Sequence, residues 1–287
     1  MNLADIGTIK KLLNADDFSF KKSLGQNFLI DETVCPRMAE FSADEKTGVL
    51  EIGPGIGVLT RALSLRAKRV VAVELDERLR PILQKTLSDL ENTEVVFGDA
   101  MKLDLSALIA EKFADCERVA VCANLPYYIT SPIIMQLLES RLPIDNITVM
   151  VQKEAAERLC AEVSSREAGA VTVAVEYYAE SEILFHVGRD SFMPPPKVDS
   201  AVIKLTVRAT PKYEVSDEKR FFSLVKACFA QRRKTLLNTV SSTLKISKDD
   251  LAACLEEMGL RPDIRAEKLK MEELCTLSNL LHSKEIY

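Results

Sequence analysis

Residues 48–63, which read GVLEIGPGIGVLTRAL, decide the fold. A short apolar run over 48–52 enters a glycine-rich turn, and residues 58–63 then have the pattern of a helix. A strand, a glycine turn and a helix in this order are typical of a site that binds a phosphate or a nucleoside. Gly53 and Gly55 would let a ligand approach the backbone closely. The spacing is G-x-G-x-G rather than the G-x-G-x-x-G of dinucleotide sites, which disfavours a dehydrogenase.

Three further apolar runs end in a polar side chain that could bind a ligand. They are 69–73 before Glu74, 94–97 before Gly98-Asp99-Ala100, and 118–123 before Asn124. Glu74 either opens the next helix as a solvated residue or, 21 residues after Gly53, binds ribose hydroxyls, as a carboxylate at this spacing does. Asp99 could accept a hydrogen bond from an adenine amine. The repeated strand–helix pattern predicts a mostly parallel α/β sheet with right-handed crossovers, and these groups would meet at its carboxyl-end edge.

The tetrapeptide Asn124-Leu125-Pro126-Tyr127 suits attack by an exocyclic amine. The amino group of adenine is a poor nucleophile because its lone pair is delocalised into the ring. The Asn124 side-chain oxygen and the Leu125 carbonyl could accept its two N–H groups and aim the lone pair, since Pro126 holds Leu125 extended. Tyr127 offers a ring on which a flipped base can stack. The alternative is a strand end, a proline turn and tyrosines that cap a core.

Beyond the tetrapeptide the pattern predicts more strands and then only helices. Strands are expected at 144–151, 171–178, 183–187 and 198–207, and a helix at 152–163. Past Pro211, helices are expected at 221–230, 234–244, 249–258 and 266–281. We therefore predict two domains, with the sheet in residues 1–210 and a small helical domain in 211–287.

Two other segments could contact a nucleic acid. Residues 192–197, with three successive prolines, form either a rigid connector or a loop that presents Phe192 as a second stacking wall for a base. The basic cluster Arg232, Arg233 and Lys234 is either a solvated helix face or a set of phosphate contacts.

The composition is that of a soluble globular protein, with 287 residues, 47% hydrophobic and 28% charged. No run of about 18 uncharged apolar residues predicts a membrane span, and the N-terminus lacks the pattern of a secretory signal. The seven cysteines form no C-x-x-C pair, which favours reduced thiols in a cytoplasmic protein, and no metal site is expected. The net charge of −5 argues against a general binder of nucleic acids, although the residues from 209 onward are net basic.

With these motifs in place, the chain resembles the KsgA (RsmA) family of small-subunit rRNA adenine N6,N6-dimethyltransferases. The resemblance extends from about Lys21 to the C-terminus and rests on residues 24–29, 51–60, 73–76, 98–100, 124–127, 192–202 and 229–234. The methylase core is shared with other adenine-N6 enzymes. The resemblance is narrowed to this family and its relatives by residues 26–29, the Phe192 loop and the basic cluster. Many relatives carry Asn where this chain has Tyr128.

The resemblance implies a Rossmann-like class I methyltransferase with a seven-stranded sheet, one strand of it antiparallel, that binds S-adenosylmethionine. The residues it places around the cofactor are Gln26, Asn27, Leu29, Gly53, Gly55, Leu75, Ala100 and Asn124, with Glu74 at the ribose and Asp99 at the adenine amine. The catalytic set would be Asn124, Leu125, Pro126, Tyr127 and Phe192, and the RNA contacts Arg232, Arg233 and Lys234.

The substrate that the resemblance implies is two adjacent adenosines in a hairpin loop near the 3′ end of 16S rRNA, each receiving two methyl groups. The partner would be an immature small (30S) ribosomal subunit, and the enzyme a cytoplasmic monomer with a role in subunit biogenesis. A related class dimethylates an adenine of large-subunit (23S) rRNA and gives macrolide resistance, but the match at 229–234 favours the small subunit. Another rival is a non-catalytic assembly or transcription factor on the same fold, which the intact 124–127 run argues against.

Overall fold

The computed structural model describes residues 2–15 and 27–286, which form two compact units. The first unit comprises the residues up to 156 together with 181–207, and the second comprises 157–180 together with the residues from 208 onward. The sequence predicted a single division after residue 210, whereas the structure groups 157–180 with the C-terminal part and makes the last transition at 207–208. Residues 21–26, including the cofactor candidate Gln26, lie outside the described residues.

A seven-stranded sheet forms the centre of the first unit. The described strands are β1 (Phe28–Leu29), β2 (Thr47–Ile52), β3 (Arg69–Glu74), β4 (Thr93–Phe97), β5 (Arg118–Asn124), β6 (Asn146–Gln152), β7 (Ala179–Val187), β8 (Phe192–Met193) and β9 (Ser200–Val207). The sheet has the order β4-β3-β2-β5-β6-β9-β7. Its pairs from β4 to β6 are parallel, and β9 runs antiparallel to β6. The predicted seven-stranded, mostly parallel sheet is therefore confirmed.

Burial explains why these runs form the middle of the sheet. All six residues of β2 are buried, as are five successive residues in each of β5 and β6. Strands covered on both faces require such near-continuous apolar sequence. The strand order reverses between β2 and β5, because the chain moves outward from β2 to β4 and then returns to the other side of β2. Open α/β sheets bind their ligands in the crevice at such a reversal.

Helices cover the sheet of the first unit. They are α1 (Ile6–Ala15), α2 (Val34–Ser42), α3 (Val58–Ser64), α4 (Arg80–Thr86), α5 (Leu105–Lys112) and α6 (Thr130–Glu139). Helix α2 packs against α3, β5 and β6, and α3 also packs against β3. Met38 and Leu63 from these helices share a buried core with Val49 and Val70 of the sheet. This core holds the strands whose ends carry the predicted site.

A small antiparallel sheet joins β1 to β8, far apart in the sequence. Leu29 pairs with Phe192, and the backbone N–H of Ile30 donates to the Ser191 carbonyl at 2.8 Å. The loop that begins at Phe192 is therefore anchored to the segment that follows Asn27.

The second unit is helical. Its helices are α8 (Ala170–Tyr178), α9 (Glu218–Cys228), α10 (Leu236–Leu244), α11 (Lys248–Glu257) and α12 (Met271–Ser283), and α7 (Lys153–Leu159) ends in it. Helix α9 packs against α8, α10 and α12. The all-helical character predicted for the C-terminal part is confirmed over residues 208–286.

The prediction of a strand at 171–178 is wrong, because this segment forms α8. Its β-branched residues suit a strand, but α8 is buried on most of its surface, so apolar side chains on every face are accommodated. Tyr178 stacks on Phe222 with ring centroids 5.3 Å apart, and Tyr177 packs against Phe221 at 5.5 Å. Tertiary packing therefore outweighs the local preference of this segment.

No helix within residues 2–15 and 27–286 is long and apolar enough to cross a membrane. Nor does this part of the chain contain a group of three or more His, Cys, Asp or Glu placed to hold a metal ion. All seven cysteines are free thiols, and five of them are buried.

Candidate active site

A cavity lies at the carboxyl-end edge of the sheet in the first unit. Its lining includes residues 27–29, 51–56, 73–75, 98–101, 124–129 and Phe192. Every residue of the predicted cofactor and catalytic sets that the structure describes is among them. The ends of β2, β3, β4 and β5 bring most of these residues together, as the strand–helix pattern predicted, and the segments at β1 and β8 add Asn27, Leu29 and Phe192. The role of each residue stays a prediction.

The glycine-rich turn after β2 leaves room for a ligand against the backbone. Gly53 and Gly55 have φ angles of +72° and +59°, which residues with a side chain rarely adopt. A Cβ at Gly53 would meet no atom within 4 Å, so the space beside it is open. The Gly53 N–H donates to the Val73 carbonyl at 2.9 Å, which fixes the turn against β3.

Glu74, the last residue of β3, is buried and held by backbone donors. Its Oε1 accepts the N–H of Asp76 at 2.8 Å, and its Oε2 accepts the N–H of Gly55 at 3.2 Å. Burial raises the pKa of Glu74, and these two donors oppose the increase because they favour the ionised form. The carboxylate is thus oriented beside the glycine turn, in the place predicted for a ribose-binding group.

Glu51 is a site residue that the sequence reasoning missed. It is 1% exposed, lines the cavity, and neither carboxylate oxygen has a hydrogen-bond partner among the described residues. Burial raises the pKa of Glu51 to about 8, the nearby Thr60 hydroxyl opposes the increase without meeting hydrogen-bond geometry, and the charge of Glu74 adds to the increase. A buried carboxylate without a partner is costly, so its presence points to a ligand that supplies one. The available signal was a single acidic residue inside an apolar strand.

The groups after β3 and β4 provide both polar and apolar surface. Asp99 Oδ1 accepts the N–H of Met101 at 3.0 Å, and the Lys102 ammonium lies 3.4 Å from Asp99 Oδ2. The Leu75 side chain is half exposed at the cavity, whereas Ala100 is buried. An adenine ring would find an apolar side chain and a carboxylate along the same part of the lining.

Two acceptors adjacent in the chain lie at the end of β5. The Leu125 N–H donates to the Met150 carbonyl at 3.2 Å, and the Ile129 N–H donates to the Pro126 carbonyl at 3.1 Å, which closes the turn before α6. In the part of the chain that the structure describes, neither the Asn124 side chain nor the Leu125 carbonyl makes a hydrogen bond. These two oxygens are therefore available to an amine in the cavity that both residues line.

Two aromatic rings of the cavity lining lie in different environments. Tyr127 is half-buried, its hydroxyl lies 3.0 Å from that of Ser200, and burial raises the pKa of the phenol. Phe192 is 3% exposed and belongs to the core that contains Leu29, although it also lines the cavity. A base could contact Phe192 only from inside the cavity.

The basic cluster belongs to the second unit and lies in the turn between α9 and α10 rather than on a helix face. Arg232 donates to the carbonyls of Arg166 and Ala168 at 3.0 and 3.1 Å. Arg232, Arg233 and Lys234 are all exposed. Arg232 therefore has a structural role that the sequence did not indicate, and its two neighbours present their charge to solvent.

Comparison with known proteins identifies the family of this chain. A model of the family described as ribosomal RNA adenine dimethylase matches residues 17–283. The chain belongs to that family. Proteins named ribosomal RNA small subunit methyltransferase A are 49% identical to it: one from Geobacillus thermodenitrificans, over 98% of this chain and 97% of the relative, and one from Bacillus licheniformis, over 95% and 94%.

Two solved structures are similar over most of the chain. A dimethyladenosine transferase from Plasmodium falciparum has a TM-score of 0.71 at 27% identity, covering 90% of this chain and 99% of that one. The 23S rRNA methyltransferase ErmE has a TM-score of 0.66 at 30% identity, covering 89% and 100%. The protein is thus an S-adenosylmethionine-dependent rRNA adenine dimethyltransferase on a Rossmann-like class I methyltransferase fold.

The cavity fits S-adenosylmethionine, which carries a sulfonium and an ammonium beside an adenosine. The unpartnered carboxylate of Glu51 would compensate positive charge in a buried setting. Glu74, Asp99 and the open backbone at Gly53 suit the polar groups of the adenosine. When bound, the cofactor supplies an electrophilic methyl group.

Proposed function

We propose that this enzyme dimethylates the N6 amines of two adjacent adenosines in the 3′-terminal hairpin loop of 16S rRNA within the small ribosomal subunit. The pair of acceptors at Asn124 and Leu125, which make no hydrogen bond with the described residues, is the observation that carries the chemistry. The small-subunit target is supported by 49% identity to relatives named for that subunit, against 30% to the large-subunit enzyme ErmE. The enzyme would act as a monomer in the cytoplasm, during small-subunit biogenesis.

The target amine would donate its two N–H groups to Asn124 Oδ1 and the Leu125 carbonyl, with the adenine between Tyr127 and Phe192. Both acceptors draw the lone pair out of conjugation with the ring and fix its direction. No residue needs to act as a strong base, because the amine loses its proton after it has become cationic. Catalysis is then mainly positioning, which can contribute on the order of 7–11 kcal/mol in favourable cases. For the second methyl group, the amine must rebind with one N–H and one methyl.

The cofactor would be held by residues from adjacent strand ends. Glu74 would accept hydrogen bonds from the ribose hydroxyls, and Asp99 would accept one from the adenine amine. Glu51 would face the positive charge of the cofactor. The remaining members of this set are Asn27, Leu29, Gly53, Gly55, Leu75, Ala100 and Asn124, together with Gln26 from outside the described residues.

Contacts to the RNA backbone would come from Arg233 and Lys234, with Arg232 beside them. Arg233 and Lys234 are exposed cations in a turn, which suits phosphate oxygens. A chain with net charge −5 that concentrates such contacts would select a shaped RNA target rather than any polyanion.

The test is to incubate the purified protein with methyl-labelled S-adenosylmethionine and each ribosomal subunit from cells that lack this modification. The RNA is then digested to nucleosides and analysed by mass spectrometry. N6,N6-dimethyladenosine in small-subunit RNA alone supports the proposal. The same product in large-subunit RNA would instead assign the protein to the enzymes that methylate 23S rRNA. Absence of product, with cofactor and subunit binding intact, would favour a non-catalytic assembly factor.

A further inference from the structure

Tyr128 presents a large aromatic side chain to water at the mouth of the catalytic cavity. It is 55% exposed although it lines the cavity. Two other exposed apolar residues of the lining are Leu75 and Met101, which are 50% and 36% exposed. Together, these three residues extend the apolar lining of the cavity toward solvent. Exposed apolar surface that is continuous with a binding cavity indicates contact with a ligand or a macromolecule.

The described fold does not require an aromatic ring at position 128. The neighbouring Tyr127 is half-buried, and its hydroxyl lies 3.0 Å from that of Ser200. The Tyr128 hydroxyl has no hydrogen-bond partner among the described residues, and its ring makes no aromatic or cation–π contact with them. One of the two adjacent tyrosines is therefore fixed within the protein, and the other presents its ring outward.

We propose that the Tyr128 ring stacks on the nucleotide next to the adenine whose amine is held at Asn124. This inference rests on the proposed function, in which two adjacent adenosines are modified. When one adenine leaves its stack to enter the cavity, its neighbour loses a stacking partner. Tyr128 can replace that partner, because it lines the same cavity as Tyr127 and its ring is exposed. Stacking of a base on an aromatic side chain changes affinity by about five- to 150-fold.

Stacking on Tyr128 keeps the second adenosine at the cavity mouth while the first is modified. Exchange of the two adenosines then requires a shift of one nucleotide rather than dissociation of the RNA. Loss of the ring should weaken RNA binding and increase the share of RNA molecules in which only one of the two adenosines is dimethylated.

The variants Tyr128→Leu and Tyr128→Phe separate stacking from apolar contact. Leucine keeps apolar surface without an aromatic face, and phenylalanine keeps the ring without the hydroxyl. Leu65→Ala is the control, because Leu65 is 84% exposed and does not line the cavity. Binding to unmodified small subunits is measured without cofactor, and cofactor affinity is measured separately to show that the cavity is intact. We expect about tenfold weaker subunit binding for Tyr128→Leu and about twofold or less for the other two variants.

A fluorescent base provides a second readout. An RNA hairpin with 2-aminopurine next to the target adenosine should lose fluorescence when it binds the wild type or Tyr128→Phe, and less when it binds Tyr128→Leu. At limiting enzyme, mass spectrometry of small-subunit RNA should show more singly modified molecules for Tyr128→Leu. Equal binding, quenching and methylation pattern in Tyr128→Leu and Tyr128→Phe would overturn the inference. A wild-type protein that forms no dimethyladenosine in small-subunit RNA would instead overturn the proposed function.

Discussion

Glu51 and Glu74 line one cavity from adjacent parallel strands, but among the described residues only Glu74 has hydrogen-bond partners. Two backbone N–H groups favour the ionised form of Glu74. Burial instead raises the pKa of Glu51 to about 8, so its carboxyl group is mostly protonated at neutral pH when no cation is nearby. A bound cation would favour the ionised form of Glu51, which couples the charge of this residue to occupation of the cavity.

Glu51→Gln should stabilise the cofactor-free protein at pH 8 and have little effect at low pH. The carboxyl group titrates near 4.5 when unfolded and near 8 when folded. Because the folded pKa is raised, the wild type has its full stability contribution below the unfolded pKa and loses it as pH rises toward 8. The difference between the proteins should reach roughly 3–5 kcal/mol at pH 8. Denaturant unfolding at pH 5 and at pH 8 measures it.

The control for this prediction is Glu91→Gln, which removes an exposed carboxylate outside the cavity. It should change stability by no more than about 0.5 kcal/mol at either pH. A stability difference between wild type and Glu51→Gln that is the same at both pH values would contradict the assigned titration.

Glu51→Gln should also weaken the binding of S-adenosylmethionine by about tenfold or more, because a hydrogen bond to a charged group contributes about 1.5–3 kcal/mol. Relative to Glu51→Gln, wild-type affinity should increase from about pH 6.5 to about pH 8, with release of a proton, since binding favours ionised Glu51, whereas titration of the cofactor's own α-amino group near pH 8 is common to both proteins. Calorimetric titration of both proteins over this range checks both effects. Unchanged affinity in the variant would show that the positive charge of the cofactor does not lie against this carboxylate.

The four strands could be predicted from local sequence because a buried parallel strand is apolar along its length. The ligand-binding residues could be predicted because they follow directly where such a strand ends. Glu74, Asp99 and Asn124 all stand at such ends and line the cavity. Glu51 was missed for the same reason, since it lies one residue inside β2, where the pattern assigns side chains to the core.

The remaining differences come from packing that no short window contains. The pairing of Leu29 with Phe192 joins two-residue strands that are far apart in the sequence. The strand expected at 171–178 is helical because it is enclosed by partners such as Phe221 and Phe222, which lie beyond residue 210. The hydrogen bonds of Arg232 to backbone carbonyls likewise could not be predicted from composition or charge.

Asn124→Ala should abolish most methyl transfer while keeping most cofactor affinity. The substitution removes one of the two acceptors for the target amine, and loss of one such preorganised group costs about 100- to 1,000-fold in turnover. Single-turnover methylation of unmodified small subunits measures the chemical step, and calorimetry measures cofactor binding. Leu65→Ala, at an exposed position outside the cavity, is the control. Turnover near that of the wild type would remove Asn124 from the catalytic set.

Arg232→Ala and Arg233→Ala should have different effects although the residues are adjacent. Arg232 bonds the carbonyls of Arg166 and Ala168, so its loss should lower the free energy of unfolding by about 1–2 kcal/mol. Arg233 is exposed, as Arg232 is, but its side chain makes no hydrogen bond with the described residues. Its loss should therefore leave stability unchanged, weaken binding to small subunits, and reduce the salt dependence of that binding by about one charge. Lys234→Ala should act as Arg233→Ala does. Denaturant unfolding measures the change in stability, and subunit affinity at several salt concentrations measures the change in RNA binding. Equal destabilisation by Arg232→Ala and Arg233→Ala would contradict the division of roles.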